Sequence, residues 1–247
     1  MPDSLSLFMF DPAQPDQDFP PLEQAWDAPN GLLAVGGDLS VPRLLRAYRS
    51  GIFPWFDVRD PIYWWSPDPR AVLYPGRLRI SRSLRKSMRN RGYRVCFDRN
   101  FSGVVHACAA PRSGGPGTWI TPAMQAAYQQ LHAAGVAHSV EVYDGADVLV
   151  GGLYGLAVGG VFCGESMFSQ AVDSSKTAFV ALAWHLQHWG FVLIDCQLPN
   201  SHLRSLGVET IPRTAFRALL DQHAATPPGT DWVFREGVDL SRWEPTD

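Results

Sequence analysis

The chain has 247 residues, 46% of them hydrophobic and 18% charged, with a formal net charge of −3. That length suits one large domain or two small ones, the charge excludes a polycation, and no apolar run approaches membrane-spanning length. Cys96, Cys108, Cys163 and Cys196 show no CxxC or Cys/His metal spacing, so they read as reduced, mostly buried thiols of a cytoplasmic protein, with no metal or other cofactor expected.

Residues 1–30 carry Pro2, Pro12, Pro15, Pro20, Pro21 and Pro29. The lead is therefore expected to be extended and loop-like, acidic rather than a signal peptide. After the GGD turn at 36–38, Asp38 or Ser40 caps a helix that carries Pro42 in its first turn and ends at Gly51. Leu44, Leu45, Ala47 and Tyr48 face a core, and Arg43, Arg46 and Arg49 make a basic side. Phe53, Trp55 and Phe56 follow, then Tyr63, Trp64 and Trp65. This aromatic cluster reads either as a small core or as a platform for a base.

Residues 77–94 hold eight of the chain's 21 basic side chains, and no acid lies between Asp68 and Asp98. From a cap at Ser81, Arg82, Arg85, Lys86 and Arg89 fall at i, i+3, i+4 and i+7, a single-sign stripe opposite Leu84 and Met88. A solvated face normally mixes signs, so the stripe points to an anionic partner and its phosphates.

A strand at 93–97 and a short helix at 101–109 come next, then a loop at 111–118 that reads as flexible. Thr121-Pro122 opens a helix with Met124, Ala127, Tyr128 and Leu131 on its apolar stripe, closed by Gly135. Residues 138–143 alternate as a strand, turn at Asp144-Gly145 and return as a hairpin from Val148. In 148–162, Gly151, Gly152, Gly155, Gly159 and Gly160 mark bulges or close backbone approach. Ser174 caps a helix through Trp189, ended by Gly190, and 191–197 is a buried strand. Short helices follow at 200–206 and 214–223, and 224–247 reads as a loose polar tail.

The order is strand, acid at the strand end, helix, then a strand ending in Asp and Gln. In α/β sheets, sites gather at such carboxyl ends. Asp195 and Gln197 are two apart, so both are expected on one face, with Cys196 on the other. Glu165 leaves the neighbouring strand. The cluster fits a reaction whose electrophile arrives activated: Gln197 accepts a hydrogen bond from an attacking amine, Asp195 orients that amide, and Glu165 either holds a cationic acceptor or takes the proton. The competing reading is that Asp195 and Glu165 are structural acids.

GESMFS at 164–169, SKTA at 175–178, LIDCQ at 193–197 and the N-S-H-L-x-S-L-G run at 200–207 resemble the leucyl/phenylalanyl-tRNA–protein transferases. So do GLLAVGGDLS (31–40), YRSGIFPWF (48–56) and WWSPDPRAVL (64–73), so the likeness runs in one order over about residues 5–220. It implies an α+β chain: a smaller N-terminal α/β domain over 1–70, then a mixed-sheet domain over 71–247 with a polar tail, similar to the acyl-CoA N-acyltransferase (GNAT) fold but without coenzyme A. It implies transfer of Leu or Phe from charged tRNA to the N-terminal Arg or Lys of a protein, marking that protein for N-end-rule degradation. The partners are Leu-tRNA, Phe-tRNA and such acceptors. By the same likeness Asp195, Gln197 and Glu165 are functional, and Trp55, Trp119 and Tyr128 lie near the tRNA end. Arg82, Arg85, Lys86 and Arg89 are the expected phosphate contacts.

An aminoacyl pocket near the cluster needs apolar walls, and Met167, Leu182, Leu186 and Ile194 are its candidates; ordinary core is the plainer reading. Leu182 and Leu186 stand where the best-known members carry aromatics, which bears on the Leu-versus-Phe preference. Three alternatives compete. An acyl-CoA-dependent N-acyltransferase normally has a Gly-rich pyrophosphate loop, and none precedes Ser174. A cysteine hydrolase using Cys163 or Cys196 needs a histidine base, from His185, His188 or His202. A non-catalytic RNA-binding module would use the basic stripe and the aromatics.

Overall fold

The computed structural model describes residues 7–14, 16–111, 118–223 and 229–246. The strand β1 (Phe8–Met9) pairs parallel with β2 (Leu32–Val35). The helix α1 (Val41–Arg49) leads to β3 (Phe53–Pro54) and β4 (Tyr63–Trp65), closing a four-stranded sheet of order β1-β2-β4-β3. β5 (Arg70–Leu73) already belongs to a second sheet. Then come α2 (Arg82–Asn90), β6 (Arg94–Phe97), α3 (Phe101–Ala109), α4 (Pro122–Ala133), β7 (Ala137–Tyr143), β8 (Leu149–Val158) and β9 (Val161–Ser169). The chain continues through α5 (Ser174–Trp189), β10 (Leu193–Gln197), α6 (Ser201–Ser205), β11 (Glu209–Ile211) and α7 (Arg213–His223). The second sheet has seven strands in the order β11-β5-β10-β9-β8-β7-β6, and only its β9/β10 pair is parallel. This is the α+β arrangement that the resemblance implies.

Local chemistry sets most boundaries. Ser81 and Thr121 accept the Leu84 and Met124 N–H groups, the N-caps expected of them. Gly190 ends α5 at φ +83°, a left-handed C-cap. At the other end of α5 the cap residue is Asp173, and Ser174 is the first helical residue. Its hydroxyl donates to the Val150 carbonyl. A Cβ on Gly151 would lie 2.3 Å from Ser174 Oγ, so that glycine lets α5 sit directly on β8.

The seven-stranded sheet is covered on both faces. One face packs on α5 through Leu73, Val140, Phe162, Leu182 and Ile194. The other packs Val72, Tyr154, Leu156 and Leu193 on α3, α4 and the N-terminal sheet in one continuous core. Burial on both faces makes β7 buried at every position, unlike the alternation expected of it. Fully buried Glu141 is satisfied there by the Ser139 hydroxyl and the Arg99 and Asn100 N–H groups.

Two expectations are corrected. Arg43 is not on a basic surface of α1: it is buried, bonded to Asp38 at 3.1 Å and 4.3 Å above the Phe10 ring. The tail is not loose over 229–246, which crosses the α5 face as a strap. Trp232 stacks on His138 at 3.8 Å, and Phe234 lies against Phe97 and His185. The Arg235 N–H donates to His185 Nε2. Spaced aromatics in a polar background bury their rings while the polar residues stay wet. The loop at 111–118 falls almost wholly outside the described residues. Among those described, no helix is long and apolar enough to cross a membrane.

Arg85 fastens the strap. Its guanidinium donates to the Ser241 and Trp243 carbonyls at 2.9 and 2.7 Å and pairs with Glu244. Trp232→Ala is therefore expected to cost about 2–3 kcal/mol, somewhat less than loss of a fully buried ring. Arg85→Ala should cost about 1.5–3 kcal/mol through its charged hydrogen bonds. Urea denaturation checks both, and midpoints equal to wild type would mean that the segment is loose after all.

Candidate active site

The parallel ladder between β9 and β10 stops at Asp195 opposite Cys163. Both strands then run on, and each carries a bulge. On β9, Ser166 pairs with Tyr154 and Gly164 with Gly155, so Glu165 is the extra residue. On β10, Asp195 pairs with Val72 and Gln197 with Ala71, so Cys196 is the extra one. Bulges re-aim side chains beside functional sites. Here they open a cavity of about 940 Å³ lined by Gly164, Glu165, Met167, Phe179, Leu182, Ile194 and Gln197, among others.

The bulge overturns the expectation that Asp195 and Gln197 share a face. Gln197 takes a left-handed φ of +53°, which a non-glycine residue adopts only when neighbours enforce it. Its side chain lines the cavity, and its Nε2 is buried without a hydrogen-bond partner. Asp195 is wholly buried and turns to Arg70, which donates from Nε and Nη2 to its two oxygens at 2.8 and 2.7 Å. Asp195 does not touch the Gln197 amide: its Oδ1 accepts the Gln197 backbone N–H at 3.0 Å and so fixes the bulge. Arg70 also donates to the Gly51 carbonyl and lies over the Phe53 and Phe216 rings at 4.9 and 4.6 Å.

Glu165 receives the Tyr128 hydroxyl on Oε2 at 2.5 Å, and Tyr48 bonds Tyr128 at 2.8 Å. Each hydroxyl has one hydrogen, so the chain runs Tyr48 to Tyr128 to Glu165. Glu165 Oε1 is buried with no partner. Burial pushes the Glu165 carboxyl up to about 7, against the downward pull of the Tyr128 hydroxyl.

Of the expected pocket walls, Met167, Leu182 and Ile194 line the cavity and Leu186 does not. Ser175, Phe179 and Leu182 rise along α5 beside it, and Leu186 lies a turn beyond, sealed in the core. Trp119 lines the cavity, while Tyr128 reaches it only through Glu165. Trp55 stands apart from this lining, 44% exposed and edge-on to Trp65. The aromatic cluster is thus divided, with Trp64 and Phe53 in the core.

On α2, Arg82, Lys86 and Arg89 are exposed, and Arg85 is engaged with the strap as described. Burial pushes the Cys163 and Cys196 thiols up, and neither bonds a histidine. His185 and His188 bond helix carbonyls instead. The cysteine-hydrolase alternative therefore has no activated nucleophile. Among the described residues no group of three or more His, Cys, Asp or Glu could hold a metal ion. Sequence reasoning missed Arg70, Tyr48, Phe179 and Tyr154 around this site. The signal for Arg70 was a charge opening the apolar run R-A-V-L.

The raised Glu165 carboxyl carries a pH signature. Its value in the folded chain, about 7, exceeds the ordinary 4.5, so the folded state holds a proton that the unfolded state has lost between those values. The associated stability is present below 4.5 and is lost as pH rises through 7. Glu165→Gln should remove this decline and leave the protein more stable than wild type above pH 7. Urea denaturation across that window checks it, and parallel pH curves for the two proteins would contradict it.

The family model described as leucyl/phenylalanyl-tRNA protein transferase matches residues 72–221, and that of the same protein's N-terminal domain matches residues 37–68. A leucyl/phenylalanyl-tRNA–protein transferase of Azotobacter vinelandii is 59% identical over 215 residues, covering 87% of this chain and 95% of its own. One from Pseudomonas syringae pv. syringae is 60% identical over 218 residues, covering 88% and 95%. The chain belongs to the leucyl/phenylalanyl-tRNA protein transferase family.

Proposed function

We propose that this protein takes Leu or Phe from its charged tRNA and joins it to the N-terminal Arg or Lys of an acceptor protein, marking that protein for N-end-rule degradation in the cytoplasm. The observation that carries the reading is one cavity with two kinds of wall: apolar at Met167, Phe179, Leu182 and Ile194, and polar at Glu165 and Gln197. The apolar wall suits a Leu or Phe side chain. The polar end suits an amine approaching an ester that is already activated.

A protein α-amine has a pKa of about 7.7–8.0, so the chemistry asks for placement and one proton transfer rather than a strong base. The Gln197 carbonyl oxygen accepts a hydrogen bond from the amine. Its unpartnered Nε2 is satisfied by the substrate's carbonyl oxygen, where negative charge develops. Asp195 acts at one remove, through the backbone it holds. Glu165 meets the cationic Arg or Lys side chain. The cation's field draws its raised carboxyl back to the ionised form, so a neutral acceptor leaves Glu165 protonated and unpaired. Exposed Arg82, Lys86 and Arg89, with no ion-pair partner among the described residues, contact tRNA phosphates.

The test is single-turnover transfer of labelled Leu from charged tRNA to an Arg-initiated peptide without coenzyme A. Wild type should form product, and Gln197→Ala should be slower by about 10²–10³-fold with little change in tRNA affinity. Product that requires acyl-CoA, or binding without product, would contradict the reading. Replacing Arg82, Lys86 and Arg89 together should flatten the salt dependence of tRNA binding by roughly 0.9 per lost phosphate contact. Leu182→Phe should shift the Leu-to-Phe donor ratio by about 10–200-fold, and an unchanged ratio would remove Leu182 from the pocket.

A further inference from the structure

The cavity lining includes a histidine that this mechanism leaves idle. His202 sits in α6, whose start is fixed by Asn200 Oδ1 accepting the Leu203 N–H at 2.8 Å. The ring lines the same cavity as Glu165 and Gln197. Its Nε2 is buried and has no hydrogen-bond partner, and the residue as a whole is half-buried. A polar atom left unpaired in a protein interior can be satisfied by a water, an ion or a ligand, or can take part in moving a proton.

The other groups around this cavity do not serve as that base. Asp195 is held by Arg70 and is not part of the cavity lining. Burial pushes the Cys196 thiol up. Glu165 is bonded by Tyr128 and meets the acceptor's cation. An amide such as Gln197 is barely basic. The charged group that acts on the ring is Lys176, paired with Asp173 in the first turn of α5; Glu165 lines the same cavity from β9, and Arg204 is exposed on the same helix as His202. Burial, and then the Lys176 charge, lower the His202 imidazole below its ordinary range and keep it neutral near pH 7.

We propose that His202 is the proton acceptor of the transfer reaction, an assignment that rests on the transferase reading. Nε2 removes one proton from the acceptor's α-ammonium as it enters the cavity. The neutral amine attacks the ester carbonyl, and a C–N bond forms. The ester C–O bond then breaks, its electron pair going to the ribose oxygen, which takes the second proton of the amine nitrogen. The products are a neutral amide, a tRNA hydroxyl and one proton on His202, which the ring returns to solvent.

The experiment is the same single-turnover assay on His202→Gln and His202→Ala at about pH 6.5 and about pH 8.5, either side of an α-amine pKa of about 7.7–8.0. At the lower pH, where only about one α-amine in 15–30 is neutral, both variants should be slower than wild type by about 15–30-fold. At the higher pH, where the amine arrives neutral, the deficit should shrink to a few-fold, with tRNA affinity unchanged throughout. Imidazole in the buffer should restore part of the His202→Ala rate at the lower pH. Equal deficits at both pH values, or none at either, would overturn the assignment. If His202→Ala does not fold, the pH ratio of His202→Gln alone decides the matter. Absence of transfer by wild type would instead overturn the transferase reading.

Discussion

The buried pair between Arg70 and Asp195 fixes the site. Both side chains are essentially out of water and meet through two parallel hydrogen bonds. Removing one partner of such a pair costs about 3–5 kcal/mol, because the survivor keeps its charge without compensation. The pair also joins parts distant in sequence. Arg70 reaches the Gly51 carbonyl and the Phe53 and Phe216 rings, while Asp195 holds the Gln197 backbone. The N-terminal sheet, α7 and the end of β10 therefore meet at one guanidinium, and the strained residue that lines the cavity depends on it.

Against that rigid edge, the two bulges divide the labour between neighbouring strands. The one on β9 presents Glu165, and the one on β10 lets Asp195 face the ion pair while Gln197 lines the cavity. Regular strands would have kept Asp195 and Gln197 on one face. Tyr48 and Tyr128 tie Glu165 to α1 and α4, so the acid is oriented by rigid helices. Its raised carboxyl is what the acceptor choice proposed above rests on.

Much of this was legible in the sequence and some was not, for identifiable reasons. Helix caps at Ser81, Thr121 and Gly190 are local rules and held. Glu165, Gln197, Leu182 and Ile194 do meet around one cavity, because strand ends and one helix face gather them. Arg70 pairs with a residue 125 positions away, which no local pattern reveals. A bulge adds one residue to a strand without disturbing an apolar run such as L-I-D-C-Q, so the true facing of Asp195 was invisible. Arg85 belongs to the basic stripe by spacing, yet its partners lie in the C-terminal strap. Leu186 shares a helix face with Leu182 but lies too deep along α5 to reach the cavity.

The central claim is that the buried carboxylate serves the reaction only by holding Gln197. Asp195→Asn preserves shape and removes the charge that grips Arg70. The most direct test measures its single-turnover transfer rate and tRNA affinity beside those of Gln197→Ala and of the double variant. The account predicts slowed transfer with affinity nearly intact, and a double variant little slower than the poorer single one, since one displaced side chain cannot be lost twice. A folded Asp195→Asn protein that transfers at the wild-type rate would contradict it, as would fully multiplicative losses in the double variant.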